Sequence, residues 1–316
     1  MTPGGTDKPR SRTLAAHLLL LAVVVIWGTT FSLVKAALVD TPPLMFNLLR
    51  MLLAFAVLAA VNWRSLHGLT RRDLGLGAAA GIFLALGYQF QTSGLALTTA
   101  SKAGFITGLV VVLVPLMSSL PRVASQGSAR PSLDTWLGAL LAFAGLVLLT
   151  TPPGSGTAML SGVGWGEWLC LAGAAAFAAH LLVLSRAAPT VSARRLGTLQ
   201  IGFAALVMLA TLPLGGRITF HSTPILWIAL GVTAVLATAA AFTIQSWAQQ
   251  HLPATHTALI FTLEPVFAWL TALLFFREHL GRRAMLGAGL IFAGILIAEL
   301  RPTSRGRVQV SPIAGA

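Results

Sequence analysis

Charged side chains are scarce in this chain. Eight acidic and 21 basic residues make up 9% of 316 positions, where a water-facing globular protein uses roughly a quarter. That shortage excludes a disordered chain, a collagen-like one and a cytosolic nucleotide-binding enzyme. Cysteine is nearly absent too. Cys170 alone cannot form an intrachain disulfide or a cysteine metal cluster, so a secreted disulfide scaffold is also excluded, and its apolar surroundings read as a buried thiol. Missing as well are a nucleophile motif, a phosphate-cradling glycine loop with its lysine, and a pair of close carboxylates. No ATPase engine, no hydrolase centre and no cofactor are therefore expected. The net charge of +13 lacks the aromatic-interleaved basic stripe of a nucleic-acid surface, so no nucleic-acid partner is expected either.

What is present is apolar sequence: 56% hydrophobic residues and a mean hydropathy of +0.84. A bilayer core of about 30 Å takes roughly 20 apolar residues per helix. Ten such windows can be read, giving an all-α polytopic membrane protein in contact with the lipid bilayer. They run over Leu14–Lys35, Pro43–Asn62, Leu74–Leu97, Ala103–Pro121, Leu133–Thr151, Trp165–Leu184, Leu196–Leu214, Pro224–Trp247, Ala254–Phe276 and Ala284–Leu300. Turn-forming clusters such as Asp40-Thr41-Pro42-Pro43 separate them. With the amino terminus inside, fourteen Lys and Arg residues fall on the cytoplasmic side and six outside, while Arg50 lies within a span. Both termini are thus expected in the cytoplasm. The first span is of full length with no cleavage site before the second, so it reads as retained and not as a signal peptide.

The chain also repeats itself. Leu137-Gly138-Ala139-Leu140-Leu141-Ala142-Phe143-Ala144-Gly145 returns 149 residues later as Leu286-Gly287-Ala288-Gly289-Leu290-Ile291-Phe292-Ala293-Gly294, identical at seven of nine positions. Similar offsets pair Pro115 with Pro265 and Lys35-Ala36-Ala37 with Arg186-Ala187-Ala188. Two halves of five spans follow, and because five is odd the second half enters the membrane inverted. The expected organisation is a basic cytoplasmic tail (1–13), a first repeat (14–151), a linker (152–164), a second repeat (165–300) and a cytoplasmic tail (301–316). Inverted halves about a midplane site are an architecture of secondary transporters.

Two ionisable residues stand inside spans. Arg50 lies about seven residues, roughly 10 Å, into the second span, where a guanidinium facing lipid costs a few kcal/mol. It reads either as a cavity cation for an anionic group or as a structural residue bonded to carbonyl oxygens. Glu264 precedes Pro265, whose ring has no N–H to donate and so frees the carbonyl of Phe261. It reads either as a proton or solute contact or as a permanent bond across helices, with Arg50 as the partner. Pro115 and Pro265 are expected to break helices at equivalent places of the two halves, and unwound backbone at such depth is tolerated where it lines a cavity. Trp27, Thr29, Tyr88, Gln89, Gln91, Thr92, Thr107, His180 and Gln245 supply a candidate lining. His180 also reads as a satisfied bundle histidine, Trp165 and Trp247 as interfacial anchors, and His251 with His256 lacks a third metal ligand. Gly77-xxx-Gly81, Gly104-xxx-Gly108 and Gly162-xxx-Gly166 have the spacing for close helix packing, with a homodimer as the second use of such faces.

Trp27-Gly28-Thr29-Thr30-Phe31, Arg50-Met51-Leu52-Leu53-Ala54, Ala258 to Phe267, and Glu278-His279-Leu280 followed by Leu286-Gly287-Ala288 resemble the drug/metabolite transporter superfamily, specifically the family with two EamA domains. The resemblance implies a basket of ten helices around a shared cavity. It also implies a bacterial inner-membrane exporter of small-molecule solutes such as amino acids, other metabolites or amphipathic drugs. One departure is plain: Glu278 follows the ninth span as related repeats have it, whereas the first half carries Pro121-Arg122. Two rival classes remain at this stage, a lipid-modifying membrane enzyme, which needs a converging acid, base or metal site, and a scaffold bundle with a filled interior.

Overall fold

A computed structural model describes residues 7–119, 133–150, 163–216, 219–252, 257, 260–261 and 263–300, and all regular structure among them is helical. The helices are α1 (Asp7–Ala37), α2 (Pro43–Asn62), α3 (Arg71–Leu97), α4 (Ala100–Thr107), α5 (Val110–Ser118) and α6 (Leu133–Thr150). They continue with α7 (Trp165–Ala187), α8 (Ala193–Thr211), α9 (Pro224–Ala234), α10 (Ala241–Ala248), α11 (Glu264–Phe276) and α12 (Arg282–Leu300), and a π-helical stretch, Val235–Ala240, joins α9 to α10. Seven segments among the described residues are long and apolar enough to cross a membrane, and Trp136–Leu149 and Glu264–Phe276 are shorter apolar helices. Lipid-facing positions such as Leu140, Leu206, Leu274 and Phe275 stay exposed, as expected where the solvent is hydrocarbon.

Local chemistry sets the helix starts. Pro43 occupies the first turn of α2, where its missing N–H has no intrahelical partner to lose. Thr70 and Asp73 close a reciprocal capping box on α3, and Ser192 and Thr223 accept the backbone N–H of Arg195 and Leu226 at the starts of α8 and α9. Two of the expected spans are interrupted. The window Ala103–Pro121 begins as α4 and α5, interrupted at Gly108–Leu109, and Pro115 lies inside α5 without ending it. In the window Ala254–Phe276, residues 257 and 260–261 are helical and Leu263 lies in a turn before α11 starts at Glu264, so Pro265 sits in a first turn where proline is at home. Residues 253–256, with His256 among them, lie outside the described residues, as do Gly162, most of the 152–164 linker and the 301–316 tail.

Small residues let the helices touch. A Cβ on Gly104 or Gly108 would meet Ala268 or Pro265 at 2.5 and 2.6 Å, so α4 crosses α11 at backbone contact, and the pairing order makes the two antiparallel. The repeated segments pack on each other. Gly145 abuts Gly287 and Ile291, and Gly294 abuts Gly138 and Ala142, so α6 and α12 are antiparallel too. Gly77 and Gly81 of α3 rest on Leu199 and Phe203 of α8 in parallel sense, while Gly87 and Gly94 meet Phe177 and Cys170 of α7 in antiparallel sense. Further contacts join α1 to α11, α4 and α5 to α7, α1 to α9 and α10, α2 to α8, and α2 to α9.

Candidate solute cavity

The helices line a cavity that is partly open to the outside. Its walls come from both halves: Trp27, Thr30, Phe31 and Val34 of α1, Arg50 of α2, Tyr88, Gln91 and Leu95 of α3, and Thr107, Gly108, Val110 and Val111 around the α4–α5 break. Opposite stand Phe177, His180 and Leu181 of α7, Phe242 and Gln245 of α10, Phe261, and Glu264 at the start of α11. The aromatic rings form one continuous wall. Trp27 lies 5.4 Å from Phe242 and 5.2 Å from Phe261, centre to centre, and Tyr88 lies 5.2 Å edge-on to Phe177. Such faces suit an apolar or cationic body.

Arg50 is 4% exposed and its charge is held by dipoles. Its Nε donates to Thr238 Oγ1 at 2.7 Å, and its Nη2 donates to the Tyr88 hydroxyl at 2.9 Å and to the Ala237 carbonyl at 3.3 Å. The guanidinium carbon also stands 4.2 Å from the centre of the Tyr88 ring. Tyr88 is steadied in turn: Asn47 donates to its carbonyl and Thr92 donates to Asn47 Oδ1. Among the described residues Glu264, 7% exposed, has no hydrogen-bond or ion-pair partner. The expected bridge from Glu264 to Arg50 is therefore not formed. Arg50 turns its Nε and Nη2 to Thr238, Ala237 and Tyr88 instead, and both residues line the same cavity.

His180 faces the cavity from a polar chain behind it. Ser246 Oγ donates to the Phe242 carbonyl and accepts from Gln200 Nε2, which turns Gln200 Oε1 toward His180 Nε2 at 2.7 Å. The chain places the ring proton on Nε2 and leaves Nδ1 as an acceptor. Gln91 Nε2 donates to Thr107 Oγ1 at 3.0 Å, and the buried Gln245 Oε1 has no partner. Gln89 sits elsewhere. Its amide donates to Thr211 Oγ1 at the α3–α8 contact, outside the cavity wall. Thr29 donates to the Ile26 carbonyl and likewise lies off the wall, and Trp165 is 74% exposed at a helix start.

The structure thus gathers Trp27, Arg50, Tyr88, Gln91, His180 and Glu264 around one space and sets Gln89 apart. Thr238, Ala237, Asn47, Gln200 and the phenylalanine wall did not emerge from sequence. Asn47 and Gln200 carry a legible signal, a lone amide in an apolar span, but Thr238 depends on a local change of helix type that composition does not encode.

One end of the bundle is tied by charge. Glu278 accepts from the backbone N–H of Ala100 and Ser101 and from Ser101 Oγ at the start of α4. Lys35 donates to the carbonyls of Leu95, Ala96 and Thr98 at the end of α3, and Glu167 pairs with Lys102 at 3.3 Å. Among the described residues no group of His, Cys, Asp and Glu is placed to hold a metal.

The model of the EamA-like transporter family matches residues 14–151 and again 164–300. An uncharacterized transporter of Archaeoglobus fulgidus is 34% identical over 292 residues, 92% of this chain and 87% of that one. The uncharacterized transporter YvbV of Bacillus subtilis is 26% identical over 230 residues, 72% of this chain and 70% of its own. A protein solved by crystallography, 20% identical, superposes with a TM-score of 0.63 over 90% of this chain and 96% of its own, which shows the same fold. With two matches to one family model spanning most of its length, this integral-membrane chain belongs to the EamA-like transporter family.

Proposed function

We propose that the protein is a secondary transporter of small amphipathic solutes, amino acids or other metabolites and drugs among them, exporting them across the bacterial inner membrane by alternating access. The observation that carries this reading is the cavity itself. It offers aromatic walls, a guanidinium with Nη1 still unbonded and an unpartnered carboxyl group within one enclosure between the two halves. Such a space can hold a solute with an apolar body and polar ends, whereas a scaffold has no use for an unpaired carboxyl in its interior.

Ten spans in two inverted five-helix halves, with both termini cytoplasmic, complete the reading. Exchanging α1 with α7, α2 with α8, α3 with α9–α10, α4–α5 with α11 and α6 with α12 carries the helix contacts into one another: α1 on α11 becomes α7 on α4 and α5, and α3 on α7 becomes α9–α10 on α1. The exchanged partners that touch, α4 with α11 and α6 with α12, run antiparallel, which supports inversion. Reconstitution tests the function. Proteoliposomes are assayed for flux of aromatic and aliphatic amino acids and of amphipathic amines. Flux of at least one class that falls on Glu264→Gln is expected, and no flux for any class would overturn the reading.

A further inference from the structure

The π-helical stretch Val235–Ala240 meets the cavity through one carbonyl. In an α-helix the N–H of Ala241 would bond the oxygen of Ala237, four residues back. Here it bonds Leu236 O, five back, and Thr238 O. The Ala241 N–H is thereby withdrawn from Ala237 O, and that oxygen accepts from two side chains of the other half: Trp27 Nε1 at 2.8 Å and Arg50 Nη2 at 3.3 Å. Arg50 Nε adds a bond to Thr238 Oγ1 within the same turn, at 2.7 Å. A carbonyl at membrane depth cannot go unbonded without a cost of several kcal/mol, so Ala237 O has two alternatives, the side-chain pair or the amide of Ala241.

We infer that Trp27 and Arg50 form a latch that holds α9–α10 in its π form, and that releasing the latch converts the turn to α-helix and rotates α10 against the cavity. The π turn accommodates one extra residue, so its conversion turns everything after it by about 100° and 1.5 Å. Every cavity contact of α10 lies after it. Phe242 would leave the ring wall shared with Trp27, Tyr88 and His180, Gln245 would leave the lining, and Ser246 would leave Gln200 and so His180. Arg50 and Trp27 are positioning residues in this scheme. A solute whose acceptor group draws the Arg50 guanidinium away from Ala237 would open the latch; that consequence, unlike the latch, rests on the proposed transport.

Cysteine accessibility along α10 tests the latch without any solute. Single cysteines are placed at positions 241 to 245 in a full-length Cys170→Ser background, and reaction with a water-soluble maleimide is followed in detergent. With Trp27 and Arg50 present, Phe242→Cys and Gln245→Cys react. With Trp27→Phe and Arg50→Lys combined, the reactive pair is expected to move one residue toward the amino terminus, to Ala241→Cys and Ile244→Cys, with at least about a tenfold change in the rate ratio. Trp27→Phe alone, which keeps the ring and removes only the N–H, carries the test if the double variant is not monodisperse, and is expected to show both pairs reacting. An unchanged pattern in every folded latch variant would overturn the latch. Since flux is not measured, that outcome is distinct from a failure of the transport reading.

Discussion

At the scale of single residues, the account turns on how a buried charge is satisfied. Arg50 is bonded on three sides by neutral oxygens, so its cost at depth is met without a counter-ion, whereas Glu264 has no hydrogen-bond or ion-pair partner among the described residues. Glu264→Gln keeps the shape and removes the ionisable group, and is expected to reduce flux of a transported amine or amino acid at least about tenfold, equivalent to about 1.4 kcal/mol of lost solute binding. Unchanged flux and unchanged pH dependence in proteoliposomes would remove Glu264 from the solute path. Gln89 and Gln91 form an internal comparison, two residues apart on α3. Gln89→Ala loses the bond to Thr211 and is expected to cost about 1 kcal/mol of stability with flux retained, while Gln91→Ala, on the cavity wall, is expected to lower apparent solute affinity. Both amides are conspicuous in sequence, but a helix face cannot be assigned when neighbours on every side are apolar. Arg50, Glu264, Tyr88 and His180 were legible for the opposite reason: polar groups with so high a cost in lipid have few places to go. Their partners were not, because a threonine or a carbonyl oxygen costs nothing conspicuous until a donor is aimed at it.

At the scale of helices, hydropathy located the seven segments that are long and apolar enough to span among the described residues, and missed their interruptions. Windows of 20 residues average over the chain, so the break at Gly108–Leu109 and the π turn at Val235–Ala240 leave no trace in them. Proline was a misleading marker in the first half, since Pro115 is housed inside α5, and an informative one at Glu264-Pro265, where a helix begins. The glycines were a better guide. Gly104-xxx-Gly108 is the face on which α4 meets α11, and the repeated Leu-Gly-Ala segments meet each other across α6 and α12. Gly145→Val would put a side chain 2.5 Å from the Gly287 carbonyl, and about 1–3 kcal/mol of destabilisation is expected, read as a lower unfolding midpoint in detergent. The same change at Gly289, which has nothing within 4 Å, is expected to be silent. Glu278→Ala uncaps α4 and is expected to cost about 1 kcal/mol, with increased amide exchange at Ala100 and Ser101.

At the scale of the whole molecule, the proposed topology turns on an odd number of spans, five, in each repeat. In that topology the odd number inverts the second half, sets the cavity between two similar bundles and, with ten spans in all, puts both tails on one side of the membrane. Cysteines placed in the 1–13 and 301–316 tails are expected to be equally shielded from an impermeant reagent in right-side-out vesicles, and labelling of one tail alone would break the topology. Transport by alternating access requires that one cavity face each compartment in turn. Thr30→Cys in a Cys170→Ser background measures this most directly, because Thr30 lines the cavity and the change is nearly isosteric. An impermeant maleimide applied first to right-side-out and then to inverted vesicles is predicted to modify this cysteine from both sides. Modification from one side only, or from neither, would contradict alternating access.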